Sequence, residues 1–349
     1  MEVGKKLFSN KRLLIFSPFL FVLVALQVIK IGLHPIGTDW IDWVRSAGKA
    51  LPNYDSYLSK SVLPSLISRF LPQDNYISWW IFYATILLIW ISLVHNWIYY
   101  RYENQVKSLL ILFFMLPGTI SQFLFLGHYD IFIFISSMVA VVTSSRFIIV
   151  SASVICSLTN PEMTFVIGAN LVLVSILIRS KRTLFVSIAF TFVSLFSVLL
   201  ERFFFKEVKP DRVSINLDLW LPTIKVALPI WQLHAWALMS PILLGVLFYL
   251  ERRLMKRDLL LLVPCLVIPL LFAMTIVDGT RVGATIGTSA IVASFLHVQS
   301  RTSTHSSSNE KLYRTLFLIW LLVPAISVDV GGSLRLPYEV LLSLLINQI

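Results

Sequence analysis

Four residues in the middle of this chain, Gly127-His128-Tyr129-Asp130, interrupt two apolar segments that otherwise carry no charge. A carboxylate at the depth of a bilayer is costly unless it faces water, a partner or a substrate. Asp130 is therefore a functional-site hypothesis. Gly127 supplies the backbone freedom that a tight turn between two membrane spans requires. The pattern predicts a polar turn at one face of a membrane.

Other polar residues are expected to reach the same face as this turn. A carboxylate can accept the proton of an acceptor hydroxyl, and a fixed cation can carry the charge that develops on a phosphate leaving group. We expect Asp39 or Asp42 to act as the general base and Arg281 to bind phosphate. The candidates for substrate binding are His128, Tyr129, Asp130, Glu162, Asp278 and Arg281.

A divalent metal such as magnesium or manganese is a further possibility at this face. His128, Asp130 and Asp39 are suitable ligands, but their spacing identifies no particular ion. Simpler roles stay open for several candidates. Glu162 would then only cap the helix after Pro161, Asp278 and Arg281 would only pair with each other, and Trp40 and Trp43 would be interface anchors.

The composition indicates the elements that must position these residues. The chain is 57% hydrophobic and 13% charged, with a mean hydropathy of +0.82, which is far outside the range of soluble domains. Successive apolar runs have the length of a membrane-crossing helix. We expect an all-α, polytopic transmembrane bundle of about 11 spans (roughly 10 to 12), forming a single integral-membrane domain over residues 1–349.

Two long polar loops are expected to lie over the site. They cover residues 34–76 and 201–230, and the first contains a predicted interfacial helix over residues 57–71. Short apolar segments at 131–145 and 147–159 precede the Asn160-Pro161-Glu162 break. Such short, proline-interrupted segments often line a cavity within a membrane.

Charge predicts the orientation of the bundle. The net charge of +11 comes from basic residues spread over short loops beside apolar spans, which is an orientation signal and argues against nucleic acid as a partner. The span at 13–33 reads as uncleaved, with a cytoplasmic N-terminus. Acidic residues gather on the opposite, external face. Cys156 and Cys265 lie in apolar runs and are expected to be small hydrophobes.

Together these features resemble the GT-C superfamily of integral-membrane glycosyltransferases. The resemblance rests on the acidic pair Asp39 and Asp42 in the first external loop, the turn from Gly127 to Asp130, and the break at Asn160-Pro161-Glu162. It implies transfer of a sugar from a polyprenyl-phosphate donor to a lipid-linked or cell-surface glycan acceptor. The reaction would occur at the external face of an inner membrane or its equivalent, among membrane lipids.

The resemblance also implies that Asp39 is the catalytic base, with Asp42 as second choice. The sequence departs from the family at Asn160, where a basic residue often precedes the proline, and it shows no large C-terminal soluble domain.

Two other functions stay open on the sequence. A polymerase or ligase of lipid-linked glycans needs similar chemistry but often relies on external arginines. A secondary transporter or flippase would use Asp130 and Glu162 to relay protons or bind a cation. Transporters usually contain an internal repeat, and none is visible here. The collection of acidic residues at one face favours an enzyme.

Overall fold

The computed structural model describes residues 17–50, 61–72, 75–102, 106–204, 212–238, 256–275, 279–300, 317–318 and 320–322. Within these ranges the chain is helical and forms no strand; an isolated backbone bridge joins Pro35 to Leu126. The predicted all-α class is confirmed. Predicted elements at the N-terminus, over most of 312–328 and in the C-terminal tail lie outside the described residues.

The α-helices are numbered here in chain order. They are α1 (Pro18–Ile31), α2 (Thr38–Ala50), α3 (Val62–Phe70), α4 (Tyr76–Arg101), α5 (Val106–Met115), α6 (Pro117–Leu124), α7 (Asp130–Val142), α8 (Arg146–Thr159), α9 (Pro161–Ile178), α10 (Lys181–Phe204), α11 (Arg212–Ala227), α12 (Trp231–Ala237), α13 (Ile268–Thr275) and α14 (Gly279–Ser300). Short 3-10 helices at Leu228–Ile230 and Lys256–Leu261 and a π-helix at Val263–Val267 complete the set.

Three of the described helices are long and apolar enough to cross a membrane: α4, α9 and the Lys181–Leu200 part of α10. Shorter apolar helices are Pro18–Ile31, Asp130–Val142, Arg146–Thr159 and Leu259–Thr275. These lengths and compositions support the expectation of a membrane protein. They do not confirm the predicted count of about 11 spans, which stays a prediction.

Local sequence signals explain where several helices begin. Ser17 caps α1 by accepting a hydrogen bond from Leu20 N at 3.2 Å, and proline follows at the first helical position. Asn75 caps α4 in the same way. At the start of α9, Asn160 Oδ1 accepts from Met163 N at 3.0 Å and Pro161 follows. The Asn160-Pro161-Glu162 break is thus a helix start.

The apolar run before the polar turn, residues 109–126, predicts one span, but the structure divides it in two. Leu116 is extended, and Pro117 begins α6 because proline has no N–H to continue the hydrogen-bond ladder of α5. The new helix direction brings Gly118 onto α14, where Gly118 N donates to Thr288 Oγ1 at 2.9 Å. The hydropathy of this run does not reveal the break, since residues 109–126 carry no charge on either side of it.

The sequence predicts a second tight, charged turn at residues 278–281, between two apolar runs, and this prediction is partly wrong. Helix α14 already begins at Gly279, so Arg281 lies in its first turn instead of in a loop. Asp278 lies outside the described residues. Of the helix predicted over residues 57–71, the structure shows α3, from Val62 to Phe70, while residues 57–60 are also outside the described ranges. Its location at an interface stays a prediction.

Side-chain contacts show which helix ends lie together. Trp79 near the start of α4 donates its indole N–H to Gly127 O at 2.9 Å. Cys156 near the end of α8 contacts the Ile133 carbonyl near the start of α7, with Sγ and O 3.6 Å apart, so these two helices are antiparallel. We call the end of the bundle that carries residues 127–130 the turn end.

The opposite end is rich in arginine and lysine. Arg182 at the start of α10 donates to Val141 O at the end of α7, at 2.6 Å. Ser17 before α1 lies 3.2 Å from His95 near the end of α4, measured between Oγ and Nε2. We call this the basic end, and its cations are Arg101, Arg146, Arg179, Lys181 and Arg182.

Candidate functional site

The predicted polar turn is present and is fixed by its backbone. Gly127 has a φ of +98°, a backbone conformation that residues other than glycine rarely adopt. A Cβ at this position would lie 3.2 Å from Ile36 Cγ1 and from Trp80 Cδ1. His128 N donates to Phe125 O at 3.0 Å and closes the turn. The backbone conformation therefore favours glycine, and the close neighbours add a smaller steric cost for any other residue.

Asp130 lies at the centre of the site, at the first position of α7, with 3% of its surface exposed. Its Oδ2 lies 3.4 Å from Arg281 Nε, and its Oδ1 lies 3.4 Å from His128 Nδ1. Arg281 is itself 8% exposed. The structure thus joins three of the predicted site residues in one buried charged cluster, where charges interact more strongly than in water.

His128 can serve Asp130 in two ways through one ring nitrogen. Asp130 N–H points at His128 Nδ1 from 3.2 Å, and a neutral ring with a free Nδ1 lone pair accepts that hydrogen bond. A ring protonated at Nδ1 instead forms an ion pair with Asp130 Oδ1. Protonation of His128 therefore exchanges a backbone hydrogen bond for a carboxylate contact.

Tyr129 is also buried at this turn, with its ring centroid 4.4 Å from that of His128. Trp40 covers both rings: its centroid is 5.1 Å from His128 at an interplanar angle of 21°, and 6.0 Å from Tyr129. The sequence had suggested an interface anchor for Trp40. Its stacking on the turn was not predicted, because it depends on how α2 packs.

Backbone hydrogen bonds bring α2 to the turn. His34 N donates to Phe123 O at 3.1 Å, Leu126 N donates to His34 O at 3.0 Å, and Ile36 N donates to Leu126 O at 2.9 Å. These bonds join the segment before α2 to the segment before the turn, far apart in the sequence. The first polar loop and the turn thus form one local structure.

The two candidate bases on α2 differ in their surroundings. Asp39 is exposed and makes no hydrogen bond or ion pair with another described residue. Asp42 accepts from Tyr76 OH at 2.8 Å and lies 3.8 Å from Arg45 Nη1. Arg45 is buried and also donates to Pro72 O at 2.8 Å. Asp42 therefore ties α2 to the start of α4, and Asp39 is the more accessible carboxylate.

Glu162 lies at the second position of α9, partly buried. Asn160 is the N-cap of this helix, and the Glu162 carboxylate lies in its first turn, where a negative charge is favourable, so the simple role of Glu162 at the helix start stays open. Because α8 is antiparallel to α7, the start of α9 lies at the turn end with Asp130. Asp278, the remaining candidate, is outside the described residues.

His234 also lies near the site, although no pattern in the sequence predicts it. It is buried on α12, and its Nδ1 lies 3.3 Å from Oγ1 of Thr280, which precedes Arg281 in α14. Burial lowers the pKa of His234 below its ordinary value of 6.5. A histidine inside an aromatic stretch was the available signal, but nothing in that stretch indicates its partner.

The described residues do not form a metal site. No group of three or more His, Cys, Asp and Glu side chains is arranged to hold an ion within the described ranges. His128 and Asp130 supply two ligands, but the Arg281 guanidinium contacts the same carboxylate and would repel a divalent cation. Asp39, the third predicted ligand, does not contact this pair. This part of the site does not fit magnesium or manganese.

Neither protein-family models nor curated proteins nor solved structures match this chain. Its function is therefore inferred from the geometry of the site and from the apolar helices around it.

Proposed function

We propose that this protein is an integral-membrane glycosyltransferase that moves a sugar from a polyprenyl-phosphate donor to a lipid-linked or cell-surface glycan acceptor. The observation that carries the proposal is the buried Asp130–Arg281 pair at the turn. Trp40 stacks on His128 in the same turn, and the exposed Asp39 is next to Trp40 on α2. This arrangement offers an accessible base and a fixed cation at the same end of an apolar bundle.

Asp39 is the proposed general base. It accepts the proton of the acceptor hydroxyl while the new bond forms between that oxygen and the anomeric carbon of the sugar. The bond from the anomeric carbon to the phosphate oxygen breaks at the same time, and the electron pair leaves with the polyprenyl phosphate. An exposed carboxylate suits this role, because it can reach the hydroxyl of a bound acceptor.

Arg281 is the proposed partner of the departing phosphate. Asp130 contacts its Nε and so limits the rotation of the guanidinium, whose planar donors match phosphate oxygens. Phe125 adds a second constraint, because the guanidinium carbon lies 5.7 Å from its ring centroid. Preorganised donors of this kind stabilise charge that develops during the reaction.

The membrane arrangement is part of the same proposal. A polytopic bundle of about 11 spans with a cytoplasmic N-terminus would place the turn end outside and the basic end in the cytoplasm. The supporting observation is the separation of charge: the acidic candidates that the structure describes lie at the turn end, and a group of arginines lies at the opposite end. Cytoplasmic loops generally carry the excess of arginine and lysine.

The test is sugar transfer in membranes that contain matched amounts of each variant. Radiolabelled sugars are supplied on a panel of polyprenyl-phosphate donors. Asp39→Asn should lower transfer about 100-fold or more, because a positioned base contributes at least that factor. Asp218→Asn changes another exposed aspartate, on α11, and should leave transfer unchanged. Full transfer by Asp39→Asn would remove the proposed base.

The products of this assay separate the alternatives. A glycan polymerase would give a ladder of lengthening products, whereas a single-sugar transferase gives one addition. The buried Asp130 and His128 are also compatible with proton-coupled transport. Absence of transfer from every donor, together with cation-dependent uptake that is abolished by Asp130→Asn, would favour the transporter.

A further inference from the structure

A second group of buried polar side chains lies on α1, away from the polar turn. Gln27 is 0% exposed and Lys30 is 3% exposed, although α1 is otherwise apolar. Residues three apart share one face of a helix. This face of the bundle also contains Trp320, because Lys30 Nζ donates to the Trp320 carbonyl oxygen.

Lys30 is a buried cation with incomplete compensation. Its ammonium lies 5.1 Å from the centroid of the Trp320 ring and bonds to one carbonyl. In the part of the chain that the structure describes, no carboxylate forms an ion pair with it. A buried lysine side chain is stable when it loses its proton or when an anion neutralises its charge.

Gln27 distinguishes between these two possibilities. Both polar atoms of its amide, Nε2 and Oε1, are buried and have no hydrogen-bond partner among the described residues. Loss of a proton would relieve Lys30, but it would not satisfy the amide of Gln27. A ligand that accepts hydrogen bonds from both Nε2 of Gln27 and the Lys30 ammonium would satisfy the buried donors of both side chains.

We infer that Gln27 and Lys30 bind the phosphate group of a membrane lipid, in the interior of the bundle beside α1. The apolar lining favours a lipid phosphate over the free ion. The Trp320 ring lies 6.4 Å from Phe114 and 5.5 Å from Phe317, measured between centroids. Aromatic neighbours of this kind suit a hydrocarbon chain, whereas a free phosphate would lose its hydration there without a compensating apolar contact.

The position of Lys30 relates this site to the polar turn. Lys30 lies about one helical turn before His34, whose backbone bonds to the segment that leads into the turn. The lipid phosphate site therefore lies toward the turn end of α1. The inference rests on the proposed function in one respect: the lipid phosphate that the proposed enzyme would use is a polyprenyl phosphate.

The experiment measures binding by the purified full-length chain in detergent, without any sugar transfer. The probes are geranylgeranyl phosphate, geranylgeraniol and inorganic phosphate, titrated by calorimetry. Lys30→Met removes the charge at similar volume, and Gln27→Glu gives Lys30 an internal ion-pair partner. The matched control is Lys49→Met, because Lys49 is an exposed lysine on α2.

We expect wild type to bind geranylgeranyl phosphate more tightly than the alcohol or inorganic phosphate. Lys30→Met and Gln27→Glu should each weaken that binding about tenfold or more, as loss of a charged hydrogen bond predicts. Lys49→Met should bind as wild type does. Without ligand, both site variants should melt at or above the wild-type temperature, because Lys30→Met removes the buried charge and Gln27→Glu pairs it with a carboxylate.

Two results would overturn the inference. One is unchanged binding of geranylgeranyl phosphate by a folded Lys30→Met variant. The other is equal binding of the alcohol or of inorganic phosphate by the wild type. The proposed function can fail separately from this inference. Binding that depends on Lys30, without any sugar transfer, would support the phosphate site and contradict the enzyme. Normal transfer and normal donor affinity in Lys30→Met would support the enzyme and contradict this site.

Discussion

Asp130 has one partner from its own turn and one from a distant helix. His128 is two residues away, whereas Arg281 reaches the carboxylate from the first turn of α14. The local partner is a consequence of the turn, but the distant one requires α7 and α14 to pack correctly. The buried pair therefore links the chemistry of the site to the packing of the bundle.

Replacing Arg281 by methionine should destabilise the protein strongly. The variant leaves the Asp130 carboxylate buried without its cation, which typically costs about 3–5 kcal/mol. We expect a lower melting temperature in detergent, measured by the fluorescence of the intrinsic tryptophans. Arg146→Met changes an exposed arginine and should have little effect.

The same pair predicts a rescue. Arg281→Met combined with Asp130→Asn removes both charges, so no uncompensated ion stays buried. The double variant should recover most of the stability lost in Arg281→Met, although it should not recover sugar transfer. Additive losses of stability would show that the two side chains do not interact in the folded protein.

His234 predicts a dependence of stability on pH. Burial lowers the pKa of His234, so the folded state stays neutral at pH values where the unfolded state binds a proton. Stability should be complete above about pH 6.5 and should fall as the pH decreases below that value. When the pH is lowered from about 7.5 to about 5.5, the melting temperature of His234→Gln should fall less than that of the wild type. An identical fall in both proteins would contradict this prediction.

At the level of single residues, the sequence indicates the polar groups of the site more reliably than it indicates their partners. Residue type and flanking hydropathy marked Asp130, and charge placed Arg281 at the same face. The sequence left open a pair between Arg281 and Asp278, since they are close in the chain. Contact between Arg281 and Asp130 depends on the packing of α7 against α14, which no local pattern encodes.

Helix α2 is the element that presents Asp39 and Trp40 to the turn. It packs closely against α3 at Gly48, where a Cβ would lie 2.5 Å from the Ser65 carbonyl oxygen. Arg69 Nε also donates to Gly48 O, at 2.5 Å. The small residue allows the two helices to approach, and their contact fixes the position of α2 over the turn.

Gly48→Ala should therefore separate α2 from α3. Insertion of a methyl group into such a contact typically costs about 1–3 kcal/mol, and the displaced α2 should also lower sugar transfer. The measurements are the melting temperature and the transfer assay. Gly37→Ala is the control, because a Cβ there meets no atom within 4 Å. Equal behaviour of the two alanine variants would argue against a tight contact at Gly48.

Helices with strong apolar patterns were the most predictable elements. The predicted span at 77–100 corresponds closely to α4, and the short segments around 131–145 and 147–159 correspond to α7 and α8. The break at Pro117 was missed because hydropathy does not report helix direction. Hydropathy predicts a later start for α14 than the structure shows, because the first turn of this helix contains the polar residues Thr280 and Arg281, which are typical of a loop.

The whole molecule has two chemically different ends. The turn end carries the carboxylates, and the basic end carries arginines such as Arg101 and Arg182. The excess of basic residues predicts that the basic end faces the cytoplasm. This orientation follows from composition over many loops, so the sequence could suggest it without any knowledge of the contacts between helices.

Cysteine labelling in intact cells tests the orientation. Ser46→Cys on α2 reports the turn end, and Ser144→Cys between α7 and α8 reports the basic end; both serines are exposed. An impermeant maleimide should label Ser46→Cys in intact cells and Ser144→Cys only after permeabilisation. The natural cysteines, Cys156 and Cys265, are buried and serve as the background control. The reverse pattern would invert the proposed topology.

The long separation between Asp130 and Arg281 has a consequence for biosynthesis. Arg281 is made about 150 residues after Asp130, which at about 5–20 residues per second is a delay of roughly 8–30 s. During that interval the ribosome has supplied the carboxylate but not its cation. His128, synthesised just before Asp130, is already present. The histidine can therefore hold the nascent carboxylate until the arginine arrives.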